Sequence, residues 1–157
     1  MGPITAGKHF NAPQDKVWEV MADLENAADR IQAIVKLEVL TDGPVGQGTR
    51  FRETRIMFKK EATEEMEITA WNPPNSYTIE ADGCGCHYTT VITCEGDGDG
   101  TKVTMSMSIV PLTTFGKIMG ALTGWMMKGV GAKAFAKDLE DLKAFVESSR
   151  AAGAQPA

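Results

Sequence analysis

The chain has 157 residues, 43% hydrophobic and 24% charged, enough to bury one core in a single domain. Its 21 acidic against 16 basic residues leave a net charge of −5, which argues against the phosphate-neutralising surface that nucleic-acid binding rests on. The most apolar region, Pro111 to Lys133, is interrupted by Lys117 and Lys128, which leave ten uncharged residues between them where a membrane helix needs about 20.

The N-terminal stretch MGPITAGKHFNAPQDK holds no apolar run of the signal-peptide kind, and three cysteines cannot all pair within one chain. The expected setting is therefore a reducing cytoplasm. Ile4 to Phe10 reads as a first strand. Pro13 then sits where a missing N–H costs nothing, and Val17, Trp18, Val20, Met21 and Leu24 follow at helical spacing, so a first helix begins near Pro13. Glu25 to Ile34 keeps that spacing through Ala27, Ile31 and Ile34, which predicts a second short helix or turn.

From Val35 to Pro111 extended runs alternate with DGPVGQG, FKKE, NPPNS, the DGCG region and GDGDG, the pattern of a six-stranded antiparallel meander. Gly43, Gly46 and Gly48 are turn glycines, because no GK[ST] follows and TRFRETRIMF alternates like a strand. Each turn fixes which residues share a face. Pairing Asn72 with Tyr77 sets Ala70 opposite Ile79 and Ile68 opposite Ala81; pairing Ala81 with Cys84 sets Ile79 opposite Cys86 and Tyr77 opposite Tyr88. Pairing Gly96 with Thr101 sets Cys94 opposite Val103 and Ile92 opposite Met105. The resulting face is apolar and continues through Met107 and Ile109, while Glu65, Glu67, Thr78, Glu80 and Thr89 lie on the reverse.

The segment GCGCH raises a metal or redox question. Strand alternation sets Cys84, Cys86 and Cys94 on the apolar face and His87 on the other. Cys86 and Cys94 stand about 27 Å apart along one strand, too far to share a metal. The cysteines are expected to be reduced, metal-free wall residues, and no cofactor is implied.

Phe115, Ile118, Met119, Leu122, Met126 and Val130, then Phe135, Leu139, Leu142 and Val146, predict one long C-terminal helix, with Gly129-Val130-Gly131 as the place for a bend. Gly116, Gly120 and Gly124 form overlapping GxxxG patterns, a sign that something packs close to the helix. The domain is expected to span 1–148, with a disordered tail over 149–157.

This order of elements, together with HFNAPQDKVWEVMADLENAADRI, the loop-strand DGPVGQGTRFRE and the break WNPPNSY, resembles the START-like, Bet v 1-like superfamily, in its polyketide cyclase/dehydrase and lipid-transport branch, over about residues 3 to 147. The resemblance implies an α+β helix-grip fold: a curved seven-stranded antiparallel sheet wrapped around the long helix, two short helices after the first strand, and a cavity between sheet and helix. Members include lipid carriers, hormone and metabolite binders, aromatase/cyclases and a chaperone-activator branch.

The leading expectation is a binding or carrier module for a small hydrophobic or amphipathic molecule. Met66, Ile79, Tyr88, Ile92, Met105 and Met107 from the sheet, with Met119, Leu122 and Met126 from the helix, are expected to line the cavity, since the thioether of Met adapts to irregular partners. A polyketide cyclase or aromatase is the second reading and a protein-interaction module the third. No catalytic residue is assigned: His9 alternates with Lys8 and Phe10 on the first strand, and His87 faces outward. One polar group stands out. Pairing Phe58 with Glu61 sets Arg55 opposite Glu64 and Glu53 opposite Met66, on the face of Phe51, with Arg52 meeting Glu67 on the reverse. Glu53, Arg55 and Glu64 then either stand in water near a hairpin tip or anchor a ligand's polar head, with Arg55 receiving a carboxylate or carbonyl. The sequence specifies neither the ligand nor an oligomeric state.

Overall fold

The turn residues and the alternation of apolar side chains fold the chain as a single curled sheet around one helix. In the computed structural model, which describes residues 2–154 and side chains as far as 149, the seven strands run β1 (Ile4–Phe10), β2 (Ile34–Val39), β3 (Arg50–Met57), β4 (Lys60–Asn72), β5 (Ser76–Gly83), β6 (Cys86–Asp97) and β7 (Gly100–Pro111). They are antiparallel in the order β1-β7-β6-β5-β4-β3-β2. Helix α1 (Gln14–Met21), a short 3₁₀ turn at Leu24–Asn26 and α2 (Ala27–Arg30) follow β1, and α3 (Thr114–Ala154) grips the sheet. The expected helix-grip fold is the observed one. Helix α3 runs unbroken through Gly129 and Gly131 and continues past Ser148; residues 155–157 of the expected tail lie outside the described residues.

The registers test the sequence reading closely. At the β6–β7 turn the pairs Gly96–Thr101, Cys94–Val103 and Ile92–Met105 form as expected. At β5–β6 the turn sits two residues later, on Cys84-Gly85 (φ 51° and 74°), so Ile79 faces Thr90 and Tyr77 faces Ile92 rather than Cys86 and Tyr88. Gly85 is required there: its φ is left-handed, and a Cβ would stand 2.4 Å from Thr113 Oγ1. The β3–β4 turn sits one residue earlier, on Phe58-Lys59, so Arg55 faces Ala62, Glu53 faces Glu64 and Arg52 faces Glu65. Both of these hairpins slip by an even number of residues, which leaves every side chain on its expected face. The β4–β5 hairpin slips by one instead, pairing Asn72 with Ser76 and Trp71 with Tyr77, and a bulge between Ile68 and Ala70 then sets Ile68, not the expected Ala70, opposite Ile79. The bulge thereby turns both Trp71 and Ile68 inward.

The core lies at one end of the sheet. Phe10, Val17, Ile92, Cys94, Val103 and Leu139 are each 1% exposed or less, and Leu142 and Val146 close over them. Trp18, Trp71 and Tyr77 meet edge-on and tilted, with centroids 5.2 to 5.7 Å apart. Three polar side chains inside this end are satisfied by backbone carbonyls: Tyr77 donates to Met21 O at 2.7 Å, Thr101 to Ala12 O at 2.8 Å, and Gln14 Nε2 to Cys94 O at 2.7 Å. Burial pushes the Cys94 thiol up to about 12, which makes it an inert packing residue.

Candidate functional site

At the other end of the sheet, where β3 meets β4, β5 meets β6 and β7 meets α3, the inner face is only half covered. Met66, Ile79, Tyr88, Met105 and Met107 are half-buried there, as are Cys86 and Thr90 between them. These side chains alternate inward along β4 to β7, and together they leave a half-covered apolar strip, the candidate groove, beside the first half of α3. The sheet residues named from the sequence therefore come together, except that Phe51 and Ile92, each 1% exposed, are locked in the core. Phe51 packs against Leu24 and Ile68.

The helix residues are placed differently. Met119, Leu122 and Met126 are 39%, 66% and 46% exposed and share a side with Phe115, Ile118 and Trp125. At about 100° per residue, the side of α3 that meets the sheet carries Gly116, Gly120, Gly124, Met127, Gly131 and Asp138. Gly116 rests on the β5–β6 turn, where a Cβ would come 2.4 Å from Gly85 O, and a Cβ on Gly131 would meet Ile4 at 3.1 Å. Between them a Cβ on Gly120 would meet nothing within 4 Å. The glycine pattern thus marks a close approach at Gly116 and an open space at Gly120, so small residues leave room above the groove.

A charged cluster closes the groove's inner end. Arg55 on β3 donates from Nε to Glu53 Oε1 at 2.7 Å and from Nη2 to Asp138 Oδ2 at 2.9 Å. The Asp138 side chain is 3% exposed and its Oδ1 is buried with no hydrogen bond among the described residues. Burial opposes the charge on Arg55, but Glu53 and Asp138 more than offset this and hold its pKa above the ordinary value. One guanidinium shared by two carboxylates cannot fully compensate both, and burial pushes the Asp138 carboxyl up despite Arg55. Glu64 lies opposite Glu53 on the same face. Glu64 is exposed at its end of the sheet; desolvation by its crowding neighbours and then the Glu53 charge raise its pKa, with Arg55 acting against them. Its Oε1 would lie 3.4 Å from a Cβ on Gly83, which would itself meet the Tyr88 ring at 3.7 Å. Asp138 is the residue that sequence reasoning missed. The signal was available, since a carboxylate three residues after Phe135 and four before Leu142 falls within an apolar stripe.

The cysteines separate. Cys84 is exposed in the turn rather than on the inner face, Cys86 is half-buried in the groove wall and Cys94 is in the core; all three are free thiols. His87 points to the reverse face, 2.5 Å from Asp82 and 2.8 Å from Glu80, which raise its pKa. Two further hollows, about 530 Å³ beside Lys8 and Glu140 and about 640 Å³ between α1 and the end of α3, lie on the outer surface and meet none of the cluster residues.

A curled seven-stranded antiparallel sheet gripped by a long C-terminal helix, with two short helices after the first strand, defines a helix-grip domain. The sequence model of the polyketide cyclase / dehydrase and lipid transport family matches residues 1–147, and the chain belongs to that family. Among solved structures it is similar to the protein TTHA0849 from Thermus thermophilus, at 19% identity and a TM-score of 0.78, covering 94% of this chain and 98% of that one. The Zhui aromatase/cyclase from Streptomyces sp. R1128 is 18% identical with a TM-score of 0.74, over 92% and 93% of the two chains. Major latex-like protein 151 from Panax ginseng is 11% identical with a TM-score of 0.72, over 92% and 96%. No curated protein sequence matches the chain. Among the described residues no helix is long and apolar enough to cross a membrane.

Proposed function

We infer that the groove binds a small amphipathic molecule, its apolar part along Met66, Ile79, Tyr88, Met105 and Met107 and its polar end at the cluster of Glu53, Arg55, Glu64 and Asp138. The observation that carries this reading is the Arg55–Glu53–Asp138 network, charge held at the inner end of a half-open apolar groove, where a domain built only for stability gains little from it. The family supports it, since lipid transport and polyketide chemistry both require an apolar space.

The balance of the cluster selects the polar end. Two donors of Arg55 are already taken by carboxylates, while Glu64 makes no ion pair among the described residues. A hydroxyl or ammonium finds an acceptor here; a carboxylate meets three others. A C10 alcohol or amine should therefore bind about tenfold more tightly than the C10 carboxylate, the worth of one charge-assisted hydrogen bond. Tighter binding of the carboxylate would restore Arg55 as the anchor.

The direct test is to fill the groove from the helix side. Gly120→Met places a side chain in the open space while removing a helix-interior glycine, a gain of up to about 1 kcal/mol. An environment-sensitive apolar dye should bind the native protein at about one site and lose that site in the variant, whose melting temperature stays equal or rises. Unchanged dye affinity in a folded variant places the site elsewhere. Native mass spectrometry of protein purified from its source would then name the occupant.

A cyclase reading is favoured by one observation, the raised Glu64 carboxyl beside the Tyr88 ring, which offers a proton to a bound carbonyl. Glu64→Gln separates the two: an enzyme loses turnover with binding retained, a carrier has no turnover to lose.

A further inference from the structure

We propose that the outer side of the first half of α3 docks on an anionic lipid bilayer and brings the open end of the groove to the membrane surface. The side of the helix turned away from the sheet carries Phe115, Ile118, Leu122 and Trp125, 62%, 53%, 66% and 77% exposed, in one continuous stripe. An apolar stripe of this size on a soluble surface marks an interaction face.

Charge decides the occupant. The protein as a whole is at −5, yet no Asp or Glu occurs between Asp99 and Asp138. Lys117 and Lys128 lie along one edge of the stripe, with Lys128 Nζ reaching toward Gly2, and Lys133 continues the stripe itself; all three are exposed and make no ion pair among the described residues. A helix with Trp, Phe and Leu on one face and only lysines beside them has the composition of one lying in a bilayer interface, where the rings sit at headgroup depth and each lysine near anionic lipid adds attraction. A second copy of this chain fits less well, because a two-fold contact along the stripe would set lysines against lysines.

The β3–β4 hairpin tip gives an independent pointer. Phe58 and Lys59 both hold left-handed backbone, φ 51° and 63°, in a two-residue turn where Asn-Gly is the favoured pair. Phe58 is nevertheless 63% exposed, with Lys59 and Lys60 following it in the chain. The tip belongs to the same end of the sheet as the start of α3, so an aromatic side chain held out at a conformational cost faces the same surface. Acidic residues also lie at this end: Glu61 follows the β3–β4 tip, and Asp82 is on the β5–β6 hairpin, whose turn meets Gly116 of α3, with its carboxylate paired to His87 on the reverse face.

Binding to vesicles of phosphatidylcholine with about 30% phosphatidylserine tests the proposal on the intact protein, without any groove ligand. Trp18 is buried and Trp71 partly buried against the core, while Trp125 is 77% exposed, so a blue shift of fluorescence on vesicle addition that is lost in Trp125→Phe reports Trp125. The expected result is flotation with anionic vesicles, weakened by salt, with the shift absent in Trp125→Phe. Lys117→Gln and Lys128→Gln should each lower the partition coefficient about fivefold, and Leu122→Glu, at an exposed position, should abolish flotation with the fold intact. Equal binding to phosphatidylcholine alone, no flotation at either composition, or a concentration-dependent dimer that shields Trp125 from an aqueous quencher would each overturn it. Dye binding to the groove is measured without vesicles, so failure here leaves the groove reading standing, and the reverse also holds.

Discussion

The two halves of α3 share one helix and make opposite use of their apolar residues. In the second half Leu139, Leu142 and Val146 are 0%, 5% and 4% exposed and close the end of the sheet that holds Phe10, Val17 and Val103. In the first half Leu122 and Trp125 are 66% and 77% exposed, and the side facing the sheet is left to glycines. Folding free energy from apolar burial scales with the area removed from water, so the closed end carries the stability and the open end is free to change its contacts. A protein built this way can rearrange or fill its open end without approaching global unfolding.

The comparison is tested most severely by one pair of truncations. Leu139→Ala should cost about 3 kcal/mol, the usual loss for a buried leucine, whereas Leu122→Ala should stay within about 0.5 kcal/mol. Denaturant titration of both variants decides the matter. Equal losses would mean that the first half of α3 packs on the domain in solution and that the groove is closed.

The boundary between the halves is marked by Arg55 and Asp138. The sequence leaves Arg55 either in water near a hairpin tip or at the polar head of a ligand, and in both readings removing it scarcely changes the melting temperature. With Asp138 buried against it, Asp138→Ala should instead cost about 3 kcal/mol, because the guanidinium loses one of two partners in a place with little water. Arg55→Met should be comparable, and the double variant should cost clearly less than the sum, since each change removes the partner that the other leaves stranded. Additive losses would show that the two side chains do not interact in solution.

Much of this was legible in the sequence because strand alternation tolerates error in steps of two. The turns at Phe58-Lys59 and Cys84-Gly85 were misplaced, yet Glu53, Arg55, Met66, Tyr88 and Met107 kept their inward face. The β4 bulge was not legible, since nothing in ITAWN shows that an extra residue will turn Trp71 inward. The misreading of Met119, Leu122 and Met126 has another cause. Their stripe and that of Phe135, Leu139, Leu142 and Val146 lie roughly 160° apart on one helix at about 100° per residue. One continuous helix cannot turn both towards the sheet, and treating the two runs as a single stripe hid that.

A smaller effect is expected at the β3–β4 tip. Replacing Phe58-Lys59 with Asn-Gly relieves left-handed backbone in two residues that resist it and should raise stability by about 1 kcal/mol. The gain belongs to the hairpin alone, so it should appear equally with and without dye in the groove. If stability falls instead, the Phe58 ring packs against the domain in solution and the tip is part of the closed structure.

The smallest expected change, and the most specific to the open end, is at Glu64. Its carboxyl is raised by desolvation first and by Glu53 second, so between its unfolded and folded pKa values the folded state holds more of the proton than the unfolded state. The sign follows: this group's contribution to stability falls as pH rises through that window, and at neutral pH the ionised Glu64 is a net burden. Glu64→Gln should therefore stabilise the protein at pH 7, by well under about 1 kcal/mol because Glu64 is exposed and solvent screens its charge. The advantage should shrink on acidification and vanish below about pH 4, where the native carboxyl is protonated in both states. Binding should move the other way, with a C10 amine losing affinity for the variant and the C10 alcohol keeping it, since an amide oxygen still accepts a hydrogen bond but carries no charge. If the variant is less stable at pH 7, Glu64 is ion-paired with Arg55 in solution, and the spare acceptor at the groove's inner end is Glu53 instead.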